Sequence, residues 1–170
     1  NTGIITTFAG TGERSATGDG GLATKATMNI PYHVVVDESK DLVYISDAEN
    51  HAIRVVDRKT GIISLVAGSS YTIGYSGNGG LATAAKLGFI FQIAIDFNKN
   101  LLYMTDYAYG VIRVIDRATG IIQTFAGKDT ATDRTEGMKA IDTYLIEPSG
   151  IAIDSVKDLV YVTESTASVV

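Results

Sequence analysis

The residues able to do chemistry in this chain are few, and most recur at a fixed step. Asp47 and Asp106 each stand seven residues before an arginine, Arg54 and Arg113. A carboxylate and a guanidinium with a turn between them suit an ion pair bridging adjacent strands. Because the pair is repeated, it reads as structural: a one-off ligand site would not recur in every copy. Glu164 takes the aspartate's place in the third copy. His33 and His51 are the only histidines and occupy non-equivalent places. Two isolated histidines fall short of a zinc ligand set, so neither metal nor cofactor is expected. No Gly-x-Ser-x-Gly elbow is present to carry a Ser-His-Asp triad. The segments Gly18-Asp19-Gly20-Gly21 and Gly77-Asn78-Gly79-Gly80 match no Walker pattern and open no long helix, which leaves tight turns as their expected role. Calcium at Asp19 is disfavoured, because the second copy has Asn78 there and no other carboxylates converge.

The elements that must position these residues are set by an internal repeat of about 58 residues. Thr2-Gly3-Ile4-Ile5 returns as Thr60-Gly61-Ile62-Ile63 and Thr119-Gly120-Ile121-Ile122. Asp37, Asp96 and Asp154 follow the same step, as do Tyr44, Tyr103 and Tyr161. Within one copy, His33–Asp37, Leu42–Ser46, Ala52–Val56 and Ile62–Ala67 are short runs rich in β-branched residues, separated by polar turns. Runs of that length and composition predict strands. Four antiparallel strands per repeat compose a propeller blade. Val34-Val35-Val36 and Ile93-Ala94-Ile95 are apolar on consecutive positions, which predicts inner strands covered on both faces. Leu-Ala-Thr-x-Ala after each glycine cluster predicts a short helical turn, with Met28 or Leu87 pointing to the core. The third insert, Glu136 to Ile141, is degraded.

The blocks Val34-Val35-Val36-Asp37, Leu42-Val43-Tyr44-Ile45-Ser46-Asp47 and Asn50-His51-Ala52-Ile53-Arg54-Val55 resemble the NHL-repeat family of β-propellers. The second copy departs at its loop, with Ala108-Tyr109-Gly110 before Val111-Ile112-Arg113. The inserts resemble those of long NHL repeats in bacterial and protist surface proteins and teneurin-like ectodomains. The resemblance covers essentially the whole chain. It implies an all-β NHL-type propeller of about three four-stranded blades, an arc or half of a six-bladed ring. It also implies one of several roles: protein binding, RNA reading, sensing or, rarely, a lyase reaction.

Composition narrows these roles. The sequence has 170 residues, no cysteine and a net charge of −5. The 14 basic residues are scattered and the pI is near 4.9, which argues against a phosphate-binding surface and so against nucleic acid. No apolar run reaches the roughly 18 residues that span a bilayer, so membrane insertion is not expected. The sequence does not begin with Met and shows no signal peptide. A cleaved signal and a longer parent chain both fit that, and an extracellular or cell-surface location is the weak expectation. The repeats run approximately 1–58, 59–117 and 118–170 as one unit. The chain therefore reads as one fourth strand, two whole blades and a last blade lacking its fourth strand, which the first could complete. A three-blade arc exposes two apolar faces, so a dimer, a polymer or a longer chain is expected. The candidate binding rim gathers the loops after the second strands and the links between blades: Glu49, Asn50, His51, Tyr71, Tyr75, Tyr107 and Tyr109. Tyrosine gives contact area at low entropy cost. The expected function is a non-catalytic scaffold for protein binding or self-assembly. An extracellular fibre or surface-layer subunit is the main alternative, and a lyase the remote one.

Overall fold

The computed structural model describes residues 3–69, 71–128 and 137–166. Strands β1 (Pro31–Asp37), β2 (Leu42–Asp47), β3 (Ala52–Asp57) and β4 (Ile63–Ala67) form one antiparallel sheet in that order. Strands β5 (Ile90–Asp96), β6 (Leu101–Asp106), β7 (Val111–Asp116) and β8 (Ile122–Ala126) form the second. A third sheet pairs β9 (Pro148–Asp154) with β10 (Leu159–Glu164). Inner strands β1, β5 and β9 lie side by side, so the sheets are successive blades of a propeller arc.

Each blade turns from its first strand to its second by the same device. Asp37, Asp96 and Asp154 end the inner strands, and their Oδ1 atoms accept backbone N–H groups two or three residues on. The next residues, Asp41, Asn100 and Asp158, have φ of 60°, 56° and 58°. Asp and Asn tolerate that left-handed region better than other non-glycine residues, which explains their place in each copy.

The blades are tied sideways. Arg117, in the turn before β8, reaches back to Asp37 and puts its guanidinium 5.2 Å from the Tyr44 ring centroid. Lys40 Nζ donates to Asn100 Oδ1 at 3.0 Å, and Lys99 pairs with Asp158 one blade further on. Ser46 Oγ donates to the Phe91 carbonyl at 3.1 Å, and Gln92 Oε1 accepts the Ile151 N–H at 2.7 Å.

The inserts make the second tie. As expected, each contains a short turn of 3-10 helix, Ala23–Lys25, Ala82–Ala84 and Ala140–Asp142. Ala82 N–H donates to Gly120 O of the second blade at 2.8 Å, while Ala82 O accepts Gly68 N–H of the first at 3.1 Å. One residue thus bonds the outer strands of two blades. Gly77, at φ 91°, shows why glycine opens the insert: a Cβ there would lie 2.6 Å from Ala85 Cβ. Leu87 is fully buried, and Met28 packs on the first blade's core.

Two expectations need correction. The Thr2-Gly3-Ile4-Ile5 copy does not complete a blade: residues 3–8 form no strand, and Ile4 and Ile5 are 75% and 96% exposed. Its sister segments gain their ladder bonds from the third strand of their own blade, and among the described residues no such strand lies beside residues 3–8. Gly10 N–H still bonds Ala23 O at 2.9 Å, as Gly68 and Gly127 bond their inserts. Likewise, the inner strands are not all covered on both faces. Ile93 and Ile95 are buried at 1% and 6%, whereas Val34 and Val36 are exposed at 56% and 39%, because no described blade lies on that side of β1. The expected third strand of the last blade reaches residues 167–170, outside the described residues, as is Glu136 of the third insert.

Among the described residues the repeated Asp–Arg pair comes within ion-pair distance in one blade only. Arg54 is wholly buried; its Nη1 lies 3.6 Å from Asp47 Oδ2, and its Nε and Nη2 lie 3.0 and 2.9 Å from Asp19 Oδ1. Carbonyls of Thr27 and Thr17 complete its partners. Arg113 is equally buried, but Asn78 replaces Asp19. Its Nη2 bonds Ser76 O and Asn78 Oδ1, each at 3.1 Å, while Nε and Nη1 have no partner. Asp106 Oδ1 is also unpartnered. Burial raises the Asp47 carboxyl only in part, since Asn50, the Asn29 amide and Arg54 oppose it. Burial pushes Asp106 up to about 7, with the Gly88 amide and Arg113 offsetting less.

The asymmetry generates two predictions. Asn78→Asp supplies the carboxylate that Arg113 lacks and should raise stability by about 1 kcal/mol, while Asp19→Asn should lower it by about as much. Urea denaturation of both variants checks this, and equal shifts of the same sign would refute it. For Asp106, the folded value lies above the unfolded one, so the native state holds a proton that the unfolded chain has lost. Its stabilising contribution is full below about pH 4 and is lost as pH rises to about 7. The amide introduced by Asp106→Asn cannot titrate, so the stability difference between wild type and that variant should fall across this window; a flat difference would contradict the assignment.

Candidate functional site

Strand order places the loops after β2 and β6, and the segments linking blades, along one edge of the arc. That edge collects most of the residues expected to form a binding rim. The loop after β2 is a 3-10 turn, Ala48–Asn50, closed by His51 at φ 52°. Its counterpart after β6, Tyr107–Tyr109, is closed by Gly110 at φ 60°.

The seven candidates do not form one patch. Glu49 is exposed. Asn50 is buried, with Nδ2 donating to Ser15 O at 2.8 Å and to Asp47 Oδ2 at 2.9 Å, so it is part of the clamp around Arg54. His51 is half-buried between blades: Nδ1 lies 3.1 Å from Gly88 O and its ring packs on Phe89 at 5.1 Å. Tyr71 donates its hydroxyl to Asp19, and burial followed by that carboxylate pushes the phenol up to about 12. Tyr75 stacks on Tyr109 at 5.5 Å, covers the Arg113 guanidinium at 5.0 Å and reaches Thr124 Oγ1 at 2.7 Å. The linking loop therefore covers both buried arginines, Tyr71 acting over the first and Tyr75 over the second.

Tyr107 belongs to a different group. Its ring lies 4.6 Å from Phe91, which stacks at 4.6 Å on Tyr32. Tyr32 is 59% exposed, while Phe91 and Tyr107 are half-buried. These three rings make an aromatic track across the tops of two blades. Sequence reasoning singled out Tyr107 and missed Tyr32 and Phe91, which open β1 and β5. Their signal was available: they are equivalent positions, one residue past each strand start, and both are aromatic. The Tyr107 hydroxyl is bonded to Glu147, whose carboxylate raises it.

Histidine chemistry is not assembled here. His33 is half-buried on β1, where burial lowers its pKa and Nδ1 has no partner. Among the described residues no group of three His, Cys, Asp or Glu side chains lies close enough to hold a metal ion. What this edge offers is aromatic surface, backed by buried Asp–Arg clusters that hold its loops in place.

Comparison with known proteins fits this architecture. No family model matches the chain. It is 31% identical over 105 residues to NHL repeat-containing protein 2 of Bos taurus, covering 62% of this chain and 14% of that protein. The Homo sapiens protein of the same name is 31% identical over 102 residues, covering 60% of this chain and again 14% of its own length. The chain thus spans 14% of the length of these curated relatives. A structural genomics protein of unknown function from Bacteroides thetaiotaomicron superposes with a TM-score of 0.71 at 18% identity, covering 86% of this chain and 36% of that one. An auxiliary nutrient binding protein from Bacteroides ovatus gives 0.61 at 23% identity, covering 82% and 35%. At such identities the structural likeness speaks for the fold. The internal repeat, the blade architecture and the sequence relatives agree: the chain is a β-propeller segment whose repeats are similar to those of NHL repeat-containing proteins.

Proposed function

We propose that this chain is a non-catalytic propeller segment that works by binding protein, and that further blades of its own type are its first partners. The carrying observation is the contrast between equivalent tyrosines. Tyr44 and Tyr103 are 6% and 3% exposed, because the following blade covers them, whereas Tyr161 is 44% exposed. The opposite end of the arc shows the same lack of cover at Tyr32, Val34 and Val36. The two open faces are complementary in kind, since the leading face of a blade and the trailing face of its neighbour already meet twice inside the chain. Uncovered apolar surface of this type is retained where something docks on it.

The covering blades come either from the remainder of a longer polypeptide or from a second copy. Two arcs joined face to face would close a six-bladed ring, while head-to-tail stacking would give an open polymer suited to a fibre or surface layer. The outer rim, with Glu49, Tyr75, Tyr107 and Tyr109, is then free for a separate protein partner. The acidic balance disfavours RNA as that partner. A binding role also agrees with the naming of one structural neighbour as an auxiliary nutrient binding protein.

Sedimentation velocity from about 1 to about 100 µM tests this. The chain should exceed its monomer mass of 18.0 kDa as concentration rises, and Val34→Asp should return it toward that mass. At an exposed position the substitution should change folding stability by less than about 0.5 kcal/mol. One species of twice the mass would select the ring, and a ladder the polymer. A monomer unaffected by concentration or by Val34→Asp would overturn the reading.

A further inference from the structure

Because the blades repeat, the two blade junctions can be compared atom for atom. Each brings together the residue closing the loop after the second strand and the segment leading into the next inner strand. At the first junction this space is filled by His51, which bonds the Gly88 carbonyl at 3.1 Å and packs its ring on Phe89. At the second junction the equivalent residues are Gly110 and Glu147. Gly110 keeps the left-handed backbone, but a Cβ on it would lie 2.4 Å from Leu145 O, so no side chain can fill the space. A recess of about 380 Å³ results, walled by Tyr107, Tyr109, Tyr144 and Leu145, with Glu147 where the first junction has a phenyl ring.

The carboxylate in this recess is held in place and ionised. Thr166 and Tyr107 donate hydroxyls to it, and Ser165 Oγ lies 3.5 Å from one oxygen and 3.3 Å from the Glu147 carbonyl. These donors hold the Glu147 carboxyl below its usual range. Hydroxyls orient a carboxylate but leave its charge uncompensated, and among the described residues no cationic side chain pairs with it. Aromatic walls around an uncompensated carboxylate favour an organic cation, since the ring faces and the carboxylate attract the same charge.

We propose that the recess at the second blade junction binds an organic cation, the ammonium or guanidinium head of a Lys or Arg side chain on a protein partner. The protein source of that cation rests on the binding function proposed above; the recess and its charge preference do not.

The test is an NMR titration of the isotopically labelled chain with N-acetyl-lysine amide, N-acetyl-arginine amide, tetramethylammonium chloride and, as neutral isostere, N-acetyl-norleucine amide. Either amino-acid cation should shift the amides of Gly110, Tyr144 and Leu145 at millimolar concentration, as a single side-chain contact would. Norleucine amide should leave them in place. Glu147→Gln keeps the shape of the carboxylate and should weaken binding at least about ten-fold; Tyr144→Ala should weaken it as well. Absence of shifts up to about 100 mM, equal shifts with norleucine amide, or unchanged binding in Glu147→Gln would overturn the proposal. Tetramethylammonium binding more tightly than both amides would overturn its assignment to a partner's side chain. A chain that self-associates as expected but shows none of these shifts loses the recess while the binding function stands.

Discussion

Every blade in this chain has an inner strand that is apolar on consecutive positions, and such a strand exposes apolar side chains wherever a neighbouring blade does not cover it. The rest of the structure follows from that constraint. Lateral cover is what buries Ile93 and Ile95, and its lack is what leaves Val34 and Val36 in solvent. Burying a side chain of this size is worth about 1.5 to 3 kcal/mol, so each blade gains more from its neighbour than from any single hydrogen bond within it. The specific ties act as guides for that packing. Arg117 reaching Asp37 and Tyr44, and Ala82 bonding two outer strands, fix the angle at which one blade meets the next.

Within this shared frame the two complete blades hold different electrostatics. The first encloses Arg54 with two carboxylates and leaves its guanidinium fully bonded. The second encloses Arg113 with one carboxylate and an amide, leaving two donors and one acceptor unmatched. The cost of an unmatched buried group, about 1 to 3 kcal/mol, is one the surrounding burial can absorb. Tyr75 offsets part of it by lying over Arg113, a contact the first blade does not need. The same linking loop thus closes one cluster through a hydrogen bond and the other through a ring face.

The fold was legible from the repeat because strand, turn and insert each left a residue signature. Aspartates ending inner strands, and Asp or Asn at the left-handed turn position, recur without exception in the described blades. The glycine inserts were legible as turns, though their role in bonding two blades was not, since that depends on contacts about 38 residues apart. The Asp–Arg pair forms in the first copy, while in the second Arg113 bonds the amide of Asn78, a residue outside the strands being compared. The N-terminal segment was misread. Residues 3–8 look like a fourth strand by composition, yet a strand exists only where a neighbour supplies its ladder bonds. Of the residues expected at the rim, Tyr75 and Tyr109 meet, Asn50 is internal and His51 fills a junction; which of them turn inward depends on contacts with distant loops.

The repeat also acts as an internal control on where function resides. On the edge carrying the turns after inner strands, the copies agree: Asp37, Asp96 and Asp154 cap the same turns, and Lys40 and Lys99 make the same contact to the next blade. On the opposite edge they diverge, with Asp19 against Asn78, Asn50 against Tyr109, His51 against Gly110 and Phe89 against Glu147. Packing demands at equivalent positions are the same, so packing alone gives no reason for one edge to vary more than the other. On the first edge the side chains between the constant anchors also differ, as with Glu38, Phe97 and Ser155, yet the turn geometry is kept. Constant anchors on one edge and altered junction residues on the other are expected if the first sets blade geometry and the other meets a partner that is not itself repeated. The differences also share a direction: an imidazole and a phenyl ring that fill the first junction give way to a glycine and a carboxylate that open the second.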